Sequence, residues 1–225
     1  IDWVPGSDVD LRVLEFGTPA GASENIAPNT QMTVFMEDET GTGLPNYVFT
    51  YGADGIWRTT PPIYWDNLPG NGPYTARSWI VVDNTPAPTQ VADYLVSEEI
   101  SVPKFNGANF VLTHAPSRVV IGLTSSTFSP TELEGATVTL PDYMTGGAYG
   151  DGRFVPGSTR DNVVPIKEST GLWTATSQPQ TIAANDPVVR VVIDGKEYLA
   201  RTPSGLTYNR GEITNITVHI DEDVL

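Results

Sequence analysis

No eleven-residue stretch of this chain repeats its apolar side chains at helical spacing; they come in short runs, each closed by Gly, Pro, Asn or Asp. Long helices are thereby excluded. In the first half the runs are Val9 to Phe16, Gln31 to Met36, Tyr47 to Tyr51, Tyr74 to Val82 and Val91 to Val96. Between the third and fourth, an Asp54-Gly55 turn leads into aromatics and the pair Pro61-Pro62, which suits neither a helix nor a central strand because proline has no amide donor. Composition points the same way. Gly and Pro, 21 and 19 of 225 residues, exceed their usual combined share of about 12%. The 27 threonines are β-branched and stiff at the first side-chain torsion, which suits a pleated strand. The expected fold class is all-β.

The second half carries clearer hairpin signals. Asn106-Gly107 lies between two apolar runs, and Asp194-Gly195 separates Val188 to Ile193 from Lys196 to Arg201; both dipeptides tolerate the positive φ of a type I′ turn. Further strands are expected at Arg118 to Thr124, Ala136 to Leu140, Leu172 to Thr176 and Ile213 to Ile220, the last with Ile216, Val218 and Ile220 on one face. The glycine-rich stretch from Tyr143 to Thr159 reads as a long loop, and residues 83 to 90 as an exposed one. About a dozen short strands in two groups imply two consecutive β-sandwich domains, 1–103 and 104–225. Charge divides similarly: 1–103 holds three Arg and no Lys against 14 acids, 104–225 nine basic residues against 13.

The net charge of −15 disfavours nucleic acid and anionic membrane surfaces as partners. No apolar run approaches the ~18 residues of a membrane span, and the opening residues have no basic leader, so any signal or anchor peptide is expected to have been removed. Without cysteine there is neither a disulfide nor thiolate chemistry. His114 and His219 are the two histidines, with no zinc-type spacing around them. His114 follows Phe110 and Leu112 at strand spacing and is expected on their inward face; His219 is expected to be solvated. No Gly-x-Ser-x-Gly elbow or phosphate-binding glycine loop occurs. Glu37-Asp38-Glu39 and Asp221-Glu222-Asp223 lack the alternating spacing of a calcium loop and read as solvated acidic turns. The chain is therefore expected to be no enzyme, without metal or cofactor. The aromatics Trp57, Tyr64, Trp65 and Trp79, near Tyr74, are candidate sugar-stacking rings of a surface glycan-binding protein; the competing expectation is that they fill a core.

The order of several segments resembles the fimbrillin family, the Mfa-like pilins of type V pili of Bacteroidales. In the first half these are Met32 to Met36, Tyr51 to Trp57 with its Asp54-Gly55 turn, and Pro62-Ile63-Tyr64-Trp65. In the second they are Phe110 to Ile121 with His114, Ser117 and Val119, then Gln178-Pro179-Gln180-Thr181-Ile182, the hairpin ending in Lys196-Glu197-Tyr198, and Asn209-Arg210-Gly211-Glu212. The resemblance implies two transthyretin-like β-sandwich domains and export through the outer membrane as a lipoprotein precursor. It also implies proteolytic loss of an N-terminal strand and assembly into a fimbrium by donor strands from other pilus subunits, with a surface glycan or protein as the adhesive partner. Arg12, the single basic residue before Arg58, is the candidate processing site. Stalk subunits of the family carry a further C-terminal segment, whereas five residues, Asp221 to Leu225, follow the last expected strand here, which suggests a tip or accessory subunit or else a shortened chain.

Overall fold

A computed structural model of the chain describes residue 12, residues 14–17 and residues 26–221. Half of the Val9 to Phe16 run and the end of the acidic tail lie outside these residues. The chain divides into two compact units, residues 1–80 with 96–112, and residues 81–95 with 113–225.

The strands of the first stretch are β1 (Glu15–Gly17), β2 (Gln31–Glu37), β3 (Tyr47–Tyr51), β4 (Trp57–Arg58), β5 (Tyr74–Asp83), β6 (Asp93–Ser97), β7 (Ile100–Val102), β8 (Ala108–Asn109) and β9 (Leu112–His114). In the first unit they pair in the order β8-β1-β4-β3-β2-β5, with β7 also on β5. Strict alternation makes β2 the core strand. Met32, Val34 and Met36 are fully buried while their neighbours are partly exposed. Opposite β2, Phe35 pairs with Arg77 on β5, whose guanidinium lies 4.3 Å from the Phe35 ring and pairs with Glu99 at 3.5 Å. Trp57 and Trp65 are core residues, 1% and 2% exposed, packed on Tyr51 and Tyr74 at ring distances of 4.7 and 6.0 Å. Trp65 opens a single 3-10 turn, Trp65–Asn67.

The second unit contains β10 (Ser117–Thr124), the short helix α1 (Pro130–Glu134), β11 (Thr137–Thr145), β12 (Ala148–Gly150), β13 (Arg153–Val155), β14 (Thr159–Val163), β15 (Ile166–Ser169), β16 (Leu172–Ser177), β17 (Gln180–Ile182), β18 (Pro187–Ile193), β19 (Lys196–Arg201), β20 (Leu206–Tyr208) and β21 (Ile213–His219). Two four-stranded sheets, β15-β16-β10-β21 and β14-β11-β18-β19, share one core. Val119, Ile121 and Trp173 meet Val138, Leu140, Val189 and Val191 there, each strand contributing alternate residues. The β18–β19 hairpin turns at Asp194 and Gly195 with φ of 50° and 76°, and Ile193 pairs with Lys196, as the dipeptide predicts.

Three expectations are corrected. Asn106-Gly107 does not turn a hairpin: Phe105 takes the positive φ (67°), and β8 pairs in parallel with β1 rather than with β7. Lys104 imposes this path by donating its ammonium to the carbonyls of Leu68 and Gly70 at 3.1 and 2.7 Å. Residues 143–159 are ordered by pairing: β11 runs to Thr145, β12 and β13 form a hairpin, and Tyr149 packs on Phe154 at 4.6 Å. His114 is exposed; alternation ends with buried Phe110, and the imidazole turns to Asp93.

Inside the second unit the Tyr143 hydroxyl donates to the Val188 carbonyl (2.9 Å) and meets the Tyr208 hydroxyl at 2.6 Å. Burial pushes the Tyr208 phenol up to about 12, an effect that its contact with Tyr143 partly offsets; burial and the neighbouring Tyr208 push Tyr143 higher still. Both folded values exceed the ~10 of an unfolded tyrosine, so this contribution to stability is complete below pH ~10 and is lost as pH rises through the folded values. We expect unfolding free energy to fall by roughly 1.4 kcal/mol per pH unit for each of the two above pH ~10, and both phenols to ionise only as the unit unfolds, read by tyrosinate absorbance. Normal titration of all tyrosines in the folded protein would contradict this.

Candidate functional site

Among the described residues no group of three or more His, Cys, Asp and Glu could hold a metal ion. His114 Nδ1 lies 2.8 Å from Asp93 Oδ1, an oriented pair in which the ionised carboxylate accepts the imidazole N–H. Among the described residues no hydroxyl is hydrogen-bonded to this imidazole. His219 is exposed as expected, but engaged: its ring bonds Thr124 at 2.8 Å and Asp221 at 2.8 Å. Two hydrogen bonds from Ser126, with a smaller effect of His219, hold the Asp221 carboxyl below the usual range. Glu37-Asp38-Glu39 is a closed turn in which Asp38 Oδ1 accepts from Thr40 and Thr42.

Of the candidate sugar-stacking rings, Trp57 and Trp65 are enclosed, and Tyr64 and Trp79 are half-buried. Stacking on a sugar needs a free ring face, which the first two lack because their faces pack on Tyr51 and Tyr74. The core alternative describes these two.

The first unit holds a different kind of site, one made by residues 12 and 14–17. Leu14 and Phe16 are both fully buried. Between them Glu15 points outward and pairs with Arg58 at 3.3 Å, an exposed contact worth little. Phe16 sits between Phe49 and Phe110, with ring centroids 5.1 and 4.7 Å away. Its backbone is paired on both sides: antiparallel to β4, with Phe16 opposite Trp57, and parallel to β8, with Phe16 opposite Ala108. Upstream the Leu14 amide donates to the Ile63 carbonyl at 2.7 Å, and the Trp65 amide to the Arg12 carbonyl at 3.0 Å. At Gly17 a side chain would displace only the end of the Asn109 side chain. A short extended peptide thus fills a slot with two apolar side chains and ladder bonds along both edges, the physics by which one chain adds a strand to another.

Arg12 is exposed at the mouth of this slot, with its carbonyl tied to Trp65. A cut after Arg12 leaves Leu14 and Phe16 on the retained side. The strand in the slot was only half legible: alternation from Val9 to Phe16 marks an apolar strand, but its partners lie more than 40 and 90 residues downstream.

A family model described as fimbrillin-like matches residues 18–225. Among curated proteins no sequence matches the chain. Similar solved structures include a putative cell adhesion protein from Bacteroides uniformis, 14% identical, with 93% of this chain and 94% of that one covered at a TM-score of 0.63. A putative cell adhesion protein from Bacteroides ovatus is 13% identical, with 93% of each chain covered at 0.57. A putative adhesin from Bacteroides ovatus is 11% identical, with 97% and 91% covered at 0.56. At such identities the likeness is one of fold.

Proposed function

The chain belongs to the fimbrillin-like family, and we propose that it is a structural and adhesive subunit of a cell-surface pilus, joined to other pilus subunits by donated strands and catalysing nothing. On this reading residues 1–103 and 104–225 are consecutive transthyretin-like sandwich domains, and the chain reaches the fimbrium through the outer membrane as a lipoprotein precursor. No helix among the described residues is long and apolar enough to cross a membrane.

The observation that carries the assembly reading is the burial of Leu14 and Phe16 in a slot lined by β4, β8, Phe49 and Phe110. What seats residues 14–17 in the slot is two buried side chains and ladder bonds on both edges, the contacts by which an equivalent strand from a neighbour is received without altering the rest of the sheet. The test is a chain beginning at residue 18, co-refolded with a synthetic peptide of residues 9–17. We expect the truncated chain to be strongly destabilised, the peptide to be captured one to one, and stability to rise with peptide concentration by mass action, about 2.7 kcal/mol at a hundredfold excess over Kd. Capture should collapse for a peptide with Phe16→Ala. Unaltered stability of the truncated chain, or indifference to the peptide, would sink the reading.

A further inference from the structure

The second unit contains a cleft of about 240 Å³ whose walls include Asp93, His114, Ser117, Arg118, Thr176 and Glu212. Five segments converge on it: the start of β6, the end of β9, the start of β10, the end of β16, and the turn into β21. Its charges are unevenly matched. Asp93 is held by His114, and Glu212 accepts from the Asn209 side-chain amide at 3.0 Å, so both acids already have a donor. Arg118 has none. Among the described residues the Arg118 guanidinium has neither an ion pair nor a hydrogen bond. An uncompensated guanidinium on a cleft whose two carboxylates already have donors is a local site for an outside carboxylate, despite the protein's overall negative charge.

We infer that this cleft binds one carboxylate-bearing sugar ring, with Arg118 taking the carboxylate. The guanidinium fork matches a carboxylate bidentately, which a lysine could not do. Around it the hydroxyl of Thr176, the imidazole of His114 and the carboxylate oxygens of Asp93 and Glu212 supply the acceptors and donors that ring hydroxyls require. A peptide terminus would bring a carboxylate but few hydroxyls to use them. Pro116 and Ile213, the latter 61% exposed, form an apolar strip against which the C–H face of a ring can lie. The volume is below the ~300 Å³ at which pockets for drug-sized ligands begin, so the cleft takes a single ring. This inference is independent of the strand-exchange reading, since the two sites belong to different units and different assays report them.

The test is titration of the full chain with glucuronate, with glucose as the neutral counterpart and N-acetyl-alanyl-alanine as a peptide carboxylate, followed by calorimetry and by amide shifts of residues 114–118 and 211–213. We expect glucuronate to bind about tenfold or more tighter than glucose, and Arg118→Gln to lose about tenfold or more of that affinity with its Tm unchanged. Ile213→Ser, on an exposed position, should weaken binding as well. Absence of glucuronate binding, equal affinity for glucose and glucuronate, or full affinity in the Arg118→Gln chain each overturns the inference. Binding of the dipeptide at these residues with glucuronate excluded assigns the cleft to peptide carboxylates and overturns the sugar assignment.

Discussion

Replacing Phe16 by alanine is expected to lower the unfolding free energy by about 3–5 kcal/mol, the range for deleting a fully buried aromatic side chain. The ring is fully buried between Phe49 and Phe110, so its removal forfeits the transfer free energy and leaves a cavity that two rigid rings cannot collapse to fill. Glu15→Ala, one residue away on the exposed side, should change stability by less than about 1 kcal/mol, since its partner Arg58 also pairs with Asp54 at 2.8 Å. Denaturant unfolding of both variants checks the contrast. Comparable losses would mean that the segment is not seated by its apolar residues, and the proposed exchange of strands would lose its physical basis.

The second large effect is expected in the other unit. Gly157 lies where the chain returns from the β12–β13 hairpin, and a methyl group there would overlap the Thr145 carbonyl oxygen and the Gly146–Gly147 peptide. These are backbone atoms held by a side chain: the Gln178 carbonyl accepts from the amides of Gly147 and Gly157 at 3.0 and 3.2 Å, and its amide donates to the Gly157 carbonyl at 3.1 Å. Gln178 is itself 2% exposed, so it cannot follow the displaced loop without leaving buried polar groups unpaired. We expect Gly157→Ala to cost about 3 kcal/mol or more, the upper end for overpacking. Gly122→Ala serves as its control, because a methyl group on β10 there meets nothing within 4 Å, and its effect should stay within about 1 kcal/mol of zero. Thermal melts of the pair decide the matter.

What the sequence revealed, and what it hid, follows the range of the interactions involved. The β18–β19 hairpin was legible because Asp194 and Gly195 fix turn and register locally. The alternation of β2 and β21 was legible because one buried face needs period two. Asn106-Gly107 has the same local chemistry as Asp194-Gly195, yet the anchoring of Lys104 to Leu68 and Gly70 overrode it with contacts more than 30 residues apart. His114 eluded the alternation rule because Asp93, which draws it outward, lies on another strand. Helix α1 had a readable signal in Ser129-Pro130-Thr131-Glu132, a capping box with proline at the first turn, too short to register as a periodic pattern. The cleft at Arg118 had none, since it is assembled from segments nearly a hundred residues apart.

The parallel pairing of β10 with β21 governs how the second unit bears tension. Seven consecutive positions are in register, from Arg118 opposite Ile213 to Thr124 opposite His219. A pull applied at the start of β10 and at the end of β21 draws two parallel strands in opposite directions along their length. Their hydrogen bonds are then loaded in shear, all sharing the force at once, whereas an antiparallel hairpin pulled at its open end unzips one bond after another. Resistance to forced opening is a matter of the unfolding rate, so pulling at these two points is expected to meet more resistance than pulling the β18–β19 hairpin at its open end, a contrast that single-molecule force measurement reads.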